Sequence, residues 1–466
     1  MRLLGFLAFP LLLAAQGEKI TALDRYVKAP DAAYKWSVAA TYPGQGYTTF
    51  VIDLTSQNWI TPLKADRSEW KHWLIVVKPE KVKHDVAFLF ISGGSNRDPL
   101  PEEKKIDPAL IERALATGTV AAELRMVPNQ PINFPDQGDR FQARGGMFED
   151  EFIAYTWDKF LKTQTDIWPA RLPMTKASVR AMDTISALLA SDQGGNYKVE
   201  KFFVSGGSKR GWTTWTTAAV DPRVIGISPI VIDLLNIEPS FVHHWRAYGF
   251  WAPAIKDYEN KDIMSWRGSP EYAALMKIVE PFEYRNRLTM PKFIVNSAGD
   301  QFFLPDSSQF YFDDLKGEKY LRYVPNSDHS LRGTDARESI VAYYDALLRH
   351  EPRPKFSWKF EEDAIRVTAE TRPSAVKLWQ ANNPEARDFR LEKIGKAYVA
   401  SDLTETSPGV YIGRVPKPAR GWTAYLVELT FPSGGKYPFK FTTPVRVTPD
   451  VYPFPAPKVG RQPAAQ

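Results

Sequence analysis

The feature that most restricts how this chain can fold is a repeated change of period. Short apolar runs alternate with stretches whose apolar residues recur at helical spacing. The runs include "VAFLFISGG", "KFFVSGGS", "RVIGISPIVID", "PKFIVNSAGD" and "EKYLRYVPN". Between them, "MFEDEFIAYTWDKFL" sets Phe148, Phe152, Tyr155 and Leu161 on one helical face. "MTKASVRAMDTISALLASDQGG" does the same with Val179, Met182, Ile185 and Leu189, then meets a glycine pair suited to a C-cap. "TDARESIVAYYDALLRH" closes the series with Ile340, Tyr344, Leu347 and Leu348 on one face. Apolar strands alternating with amphipathic helices imply an α/β protein, its mostly parallel sheet covered on both faces. Upstream, "YTTFVIDLTSQNW" and "HWLIVVKP" alternate apolar and polar residues and read as antiparallel strands.

Two segments break the alternation. From 234 to 288 the chain is rich in Trp, Tyr, Phe and His ("FVHHWRAYGFWAPAIKDYEN"), far longer than a strand connection. It reads as a helical, aromatic-rich insertion capping the C-terminal edge of the sheet. After "EPRPKFSW" the helical period disappears. Short runs such as "AIRVTAET", "AYLVELTF" and "FKFTTPVRV" predict a C-terminal immunoglobulin-like β-sandwich over 356–450. The alternating region occupies 18–352, and 451–466 reads as a flexible tail.

The N-terminus "MRLLGFLAFPLLLAAQGEK" has one Arg, an apolar core and then small residues, the layout of a signal peptide over 1–17. Export to the periplasm or the extracellular space is expected, with no integral membrane association after cleavage. With no cysteine among 466 residues, thiolate metal sites, disulfides and a cysteine nucleophile are excluded. The formal charge of +6 is spread with mixed signs, which argues against nucleic acid as a partner.

"FFVSGGSKRGWTTW" holds the first chemical signal. Ser208 sits at the tip of a glycine-rich turn between a strand and a helix, the context of a nucleophile elbow. The second glycine of G-x-S-x-G is displaced: Arg210 fills its slot and Gly211 follows. A serine nucleophile needs a base. In the α/β-hydrolase fold the chain order is Ser, acid, His. Among the six histidines, His72 and His84 come too early, His350 ends a helix, and His243 and His244 lie in the insertion. His329 remains, just past a strand. Asp300, directly after the preceding strand, is the expected orienting acid, with Asp306 and Asp328 as competitors. One oxyanion donor is expected from the backbone N–H of Lys209. The second comes from "FISGGSNRD", where Gly93, Gly94 and Ser95 are candidates and Gly94 is preferred. Lys209 and Arg210 either attract an anionic substrate or pair with acids near 149–151. Arg210, Trp245 and Trp251 are candidate substrate contacts. No metal-binding spacing occurs, and no cofactor is expected.

These residues also carry a resemblance. "WKHWLIVVKP", "RMVPNQPINF", "RLPMTKASVRAMDT", "VSGGSKRGWTTW" and "PKFIVNSAGDQFFLPDSSQFYFDDLKGEKYLRYVPNSDHSL" resemble the PhoPQ-activated pathogenicity-related protein family, an α/β-hydrolase-like group. The resemblance implies an exported protein with Ser, Asp and His at matching positions. The Arg in the elbow is similar to that of glucuronoyl esterases, which hints at uronate or sugar esters. The expected function is therefore an exported serine hydrolase acting on an ester or amide of a small molecule, glycan or peptide. The alternative is a non-catalytic secreted binding or signalling protein on a hydrolase scaffold.

Overall fold

The computed structural model describes residues 20–61, 63–138 and 144–458. The expected signal peptide lies outside them.

Among the described residues the central sheet has nine strands: β1 (Lys35–Gly44), β2 (Tyr47–Asn58), β3 (Glu69–Pro79), β4 (Val86–Ile91), β5 (Val120–Leu124), β6 (Lys201–Gly207), β7 (Val224–Ile230), β8 (Lys292–Ser297) and β9 (Lys319–Val324). Their spatial order is β1-β2-β3-β5-β4-β6-β7-β8-β9. β1, β2 and β3 pair antiparallel, and β3 joins β5 antiparallel. From β5 onward every pairing is parallel. A leading antiparallel meander, one crossed pair and a parallel run make the α/β-hydrolase arrangement.

The unbroken apolar runs of the sequence follow from burial on both faces. Ala87, Leu89 and Ile91 of β4 enter one core, while Val86 and Phe88 enter the other. β6 divides likewise, with Phe202 and Val204 on one side and Phe203 on the other. Successive side chains of a strand point to opposite faces, so both must be apolar when helices cover both.

The helix predicted over "MTKASVRAMDTISALLASDQGG" spans Arg171–Ala190 and is capped by Ser191. The glycine pair comes after its end. Gly195 takes φ +85°, and a Cβ on Gly194 would lie 2.0 Å from Leu188 O, so this pair serves the following turn.

The aromatic insertion forms helices Ile237–Tyr248, Lys256–Asn260 and Pro270–Val279, with 3₁₀ turns between them. Beyond the sheet's last helix (Ala336–Leu348) come two antiparallel sheets. One orders β10 (Phe356–Phe360), β11 (Ala364–Ala369), β15 (Val410–Arg414) and β14 (Glu405–Ser407). The other orders β13 (Val399–Asp402), β12 (Ala375–Asn383), β16 (Trp422–Phe431) and β17 (Phe439–Thr442), with β18 (Arg446–Thr448) also on β16. They face each other closely: a Cβ on Gly413 would come 3.0 Å from Leu378 and 3.2 Å from Val427. A single-turn helix, Leu391–Ile394, interrupts this all-β region, which no helical period in the sequence announced.

This region continues the core of the central sheet. Phe441 packs on Phe293 and Tyr320 at centroid distances of 5.4 and 4.3 Å. The segment expected as a flexible tail starts as packed chain. Tyr452 hydrogen-bonds His243 Nδ1 at 2.9 Å, and Phe454 N donates to Arg246 O.

Candidate active site

The parallel strands end on one edge, and three loops there carry Ser208, Asp300 and His329. β6 turns sharply at Ser208 into the helix Lys209–Val220. Ser208 has φ +56° and ψ −124°, a conformation costly for a residue with a Cβ. Packing enforces it. Ser208 N donates to Ile230 O at 2.8 Å, and its carbonyl accepts from Trp212 N at 2.9 Å. The glycines show why the turn has its composition. A Cβ on Gly206 would lie 2.8 Å from Arg210 O. One on Gly211 would lie 2.9 Å from Gly206 O, Ile230 O and Ile232. Gly207 has open space around it. The glycine displaced by one position is therefore the one that lets the helix approach β6 and β7. The first N–H groups of this helix, Lys209 among them, have no acceptor within the helix.

Asp300 follows β8 and His329 follows β9. His329 Nδ1 lies 2.8 Å from Asp300 Oδ2, and Phe302 N donates to Asp300 Oδ1 at 2.7 Å. Gln301 Oε1 accepts from His329 N at 2.9 Å, so the acid loop also holds the histidine backbone. Asp300 is 3% exposed. The rings of Phe302 and Phe303 flank the imidazole at 4.4 and 5.9 Å. His329 Nε2 is buried with no hydrogen-bond partner among the described residues. The two competing acids are engaged elsewhere. Asp328 caps its own turn through Ser330, and Asp306 bonds His243 and Arg387.

A cavity of about 40 Å³ opens beside Ser208. Phe302 and Phe303 line it, so the serine and the rings flanking His329 border one space. Trp157, Trp212, Phe241 and Ile263 supply further apolar wall. Asp150, Arg171, Lys209 and Tyr258 form its charged side. These groups bond one another or the backbone, while Arg171 Nε is buried with no partner among the described residues. Lys209 Nζ sits 2.8 Å from Glu149 and 2.9 Å from Asp150, Arg171 Nη1 donates to Lys209 O, and Tyr258 OH donates to Asp150. Burial alone would raise the Glu149 carboxyl, but Arg210 and Lys209 beside it pull it down to about 2.

Arg210 donates Nε to Val127 O and Nη2 to Glu149, both at 2.6 Å. Its guanidinium also lies against Gly93, where a Cβ would come 2.6 Å from Nη2. The elbow arginine thus ties the Gly93–Gly94 loop to the helix carrying Lys209, and it is absent from the cavity wall. Ser95 N is taken by Asp98 Oδ2 at 2.8 Å. Trp245 and Trp251 do not line the cavity either. Trp251 stands behind Phe241 at 5.7 Å, with Trp245 behind it at 5.1 Å. The insertion reaches the cavity through other residues, among them Ile237, Phe241, Tyr258, Ile263 and Met264. Asp150, Arg171 and the Phe302–Phe303 pair were not anticipated as wall residues. "DQFFLPD", with two aromatics separated from the acid by one residue, was the one usable signal.

Asp233 lies three residues past β7 and accepts from Tyr311 and Tyr323 at 2.6 and 2.5 Å. Burial pushes its carboxyl up to about 8, against those hydrogen bonds.

A profile of the PhoPQ-activated pathogenicity-related protein family matches residues 23–390. The chain belongs to this family. It is 39% identical over 463 residues to autocrine proliferation repressor protein A of Dictyostelium discoideum, covering 93% of this chain and 92% of that protein. Among solved structures, an acetyl xylan esterase from Paenibacillus sp. R4 aligns at 13% identity and a TM-score of 0.48, over 70% of this chain and 91% of that one. A glucuronoyl esterase from Solibacter usitatus aligns at 14% identity and a TM-score of 0.41, over 71% and 91%.

Proposed function

We propose that this family member is an exported serine hydrolase that cleaves an ester or amide through Ser208, His329 and Asp300. The observation that carries the reading is the His329–Asp300 hydrogen bond, with Nε2 left without a partner beside the space that Ser208 borders. Ser208 Oγ attacks the acyl carbon while His329 Nε2 takes its proton. His329 then protonates the leaving alcohol or amine. Asp300 stays ionised, fixes the tautomer with the proton on Nδ1, and stabilises the imidazolium. The N–H of Lys209, at the positive end of its helix, and a donor from the Gly94 loop receive the oxyanion. Water then repeats the sequence on the acyl-serine. Trp251 and Arg210 act from behind the wall, Arg210 by fixing the two oxyanion elements to each other. The Pro-marked two-sheet region would be an immunoglobulin-like sandwich, and residues 1–17 a signal peptide.

Fluorophosphonate labelling of the mature protein tests this. Stoichiometric labelling is expected, lost in Ser208→Ala and in His329→Ala. A folded wild type that does not label would sink the catalytic reading. It would favour a binding or signalling protein on a hydrolase scaffold.

A further inference from the structure

We infer that the cavity beside Ser208 is an acyl pocket for a short, uncharged acyl group of about two to four carbons. The inference rests on the serine-hydrolase reading and adds its substrate class.

Size is the first argument. The cavity offers about 40 Å³. A site for one water takes about 10–15 Å³, so the space suits a group of a few non-hydrogen atoms rather than a long chain. That accommodates an acetyl or propionyl group and, with small adjustment, a butyryl group.

Rigidity is the second. Trp212 is 3% exposed and Trp157 1%. Trp212 donates its indole N–H to Val279 O at 2.5 Å, carries the Arg171 guanidinium on its face at 4.4 Å, and meets Trp157 edge-on at 6.0 Å. Ile263, from the insertion, is fully buried on the other side. A longer chain must displace side chains that are fixed by hydrogen bonds and stacking, and overpacking of this kind is costly.

Charge is the third. Lys209, Asp150, Arg171 and Tyr258 already bond to one another or to backbone. A neutral acyl group enters without breaking that network. An acid-ended one brings a charge that must be desolvated among the apolar side chains of the wall.

The cavity suits the acyl side of the substrate rather than the alcohol. After the first step the alcohol must leave and water must enter, while the acyl group stays bonded to Ser208. An apolar pocket walled by the core and the insertion fits the group that remains.

The test is kcat/KM of the full mature chain on p-nitrophenyl acetate, butyrate, octanoate and hemisuccinate, with fluorophosphonate labelling of Ser208 run in parallel. Acetate and butyrate should exceed octanoate by about 100-fold or more. Met264→Ala and Phe241→Ala widen the pocket and should each raise the octanoate-to-acetate ratio about tenfold. Melting curves check that both variants fold, and if neither does, the wild-type series decides alone. Octanoate or hemisuccinate cleaved as fast as acetate, by protein whose Ser208 labels, overturns the acyl-pocket inference and leaves the hydrolase intact. Protein that neither labels nor cleaves any of the four esters overturns both.

Discussion

Arg387, from the C-terminal β-region, donates Nη2 to Asp306 Oδ2 at 2.5 Å, and both side chains are buried. The other oxygen of Asp306 meets His243 of the insertion at 2.8 Å. Burial would raise the Asp306 carboxyl, but Arg387 and His243 hold it well below the usual carboxylate range. One carboxylate therefore joins the insertion, the acid loop and the β-region. Neighbouring contacts repeat the pattern. Leu391 N donates to Gly299 O at 2.9 Å, and the side chain of Asn326 pairs with both backbone groups of Tyr398. Gly299 precedes Asp300, and Asn326 lies three residues before His329, so the β-region braces both loops.

Arg387→Met leaves Asp306 buried without its cation. Chemical denaturation should show a loss of about 3–5 kcal/mol. Turnover should fall more than KM rises, because the acid loop loses its brace while the cavity wall stays. Wild-type stability in this variant would show that the ion pair contributes nothing.

Asp300→Asn keeps the size of the acid but removes the charge that holds the Nδ1 proton. kcat should drop by about 10³–10⁴ with the fold retained, measured on any ester the protein cleaves. Asp328→Asn, which alters only a local turn, should stay within about 2-fold of wild type. Equal losses in the two would reassign the acid.

The elbow glycines should respond unequally. Gly207→Ala meets open space and should leave stability within about 0.5 kcal/mol. Gly211→Ala places a methyl 2.9 Å from two backbone carbonyls and should cost about 1–3 kcal/mol and most of the activity. Thermal melts of the two variants side by side decide it. A tolerated Gly211→Ala would mean that the helix can back away from β7.

Asp233 sets a pH dependence. Its folded carboxyl titrates at about 8, against about 3.9 in an unfolded chain. Between these values the folded state holds the extra proton. The stability that this group contributes is complete below about pH 4 and is lost as pH rises towards 8. Asp233→Asn cannot lose a proton. Its stability relative to wild type should improve between pH 5 and pH 8, by an amount on the order of 3 kcal/mol. Parallel melts at the two pH values test this, and a pH-independent difference would contradict it.

How much of this was legible beforehand varied by element. The parallel strands were visible because burial on both faces writes an unbroken apolar run. Ser208, Asp300 and His329 could be picked out as candidates because each lies within a few residues of the end of such a run, in the order Ser, acid, His. The roles of Arg210, Trp245 and Trp251 were not, because a charged or aromatic residue reads alike whether it faces a cavity or stands one layer behind it. Arg210 is turned aside by Glu149 and Val127, residues 61 and 83 positions away. The packed start of the tail was equally hidden. Its Pro-rich composition says nothing of His243, which lies 209 residues before Tyr452.

The sequence by itself determined the strand and helix periods, the glycine-dependent corner at Ser208 and the order of the three candidate catalytic groups. These are local properties, set by side-chain size, backbone freedom and burial along contiguous residues. Only the tertiary structure decided which acid meets His329, which aromatics wall the cavity, and that Arg387 braces the acid loop from another part of the chain. Those outcomes depend on distances of a few ångströms between residues far apart in sequence, where charges choose partners by burial and geometry rather than by position along the chain.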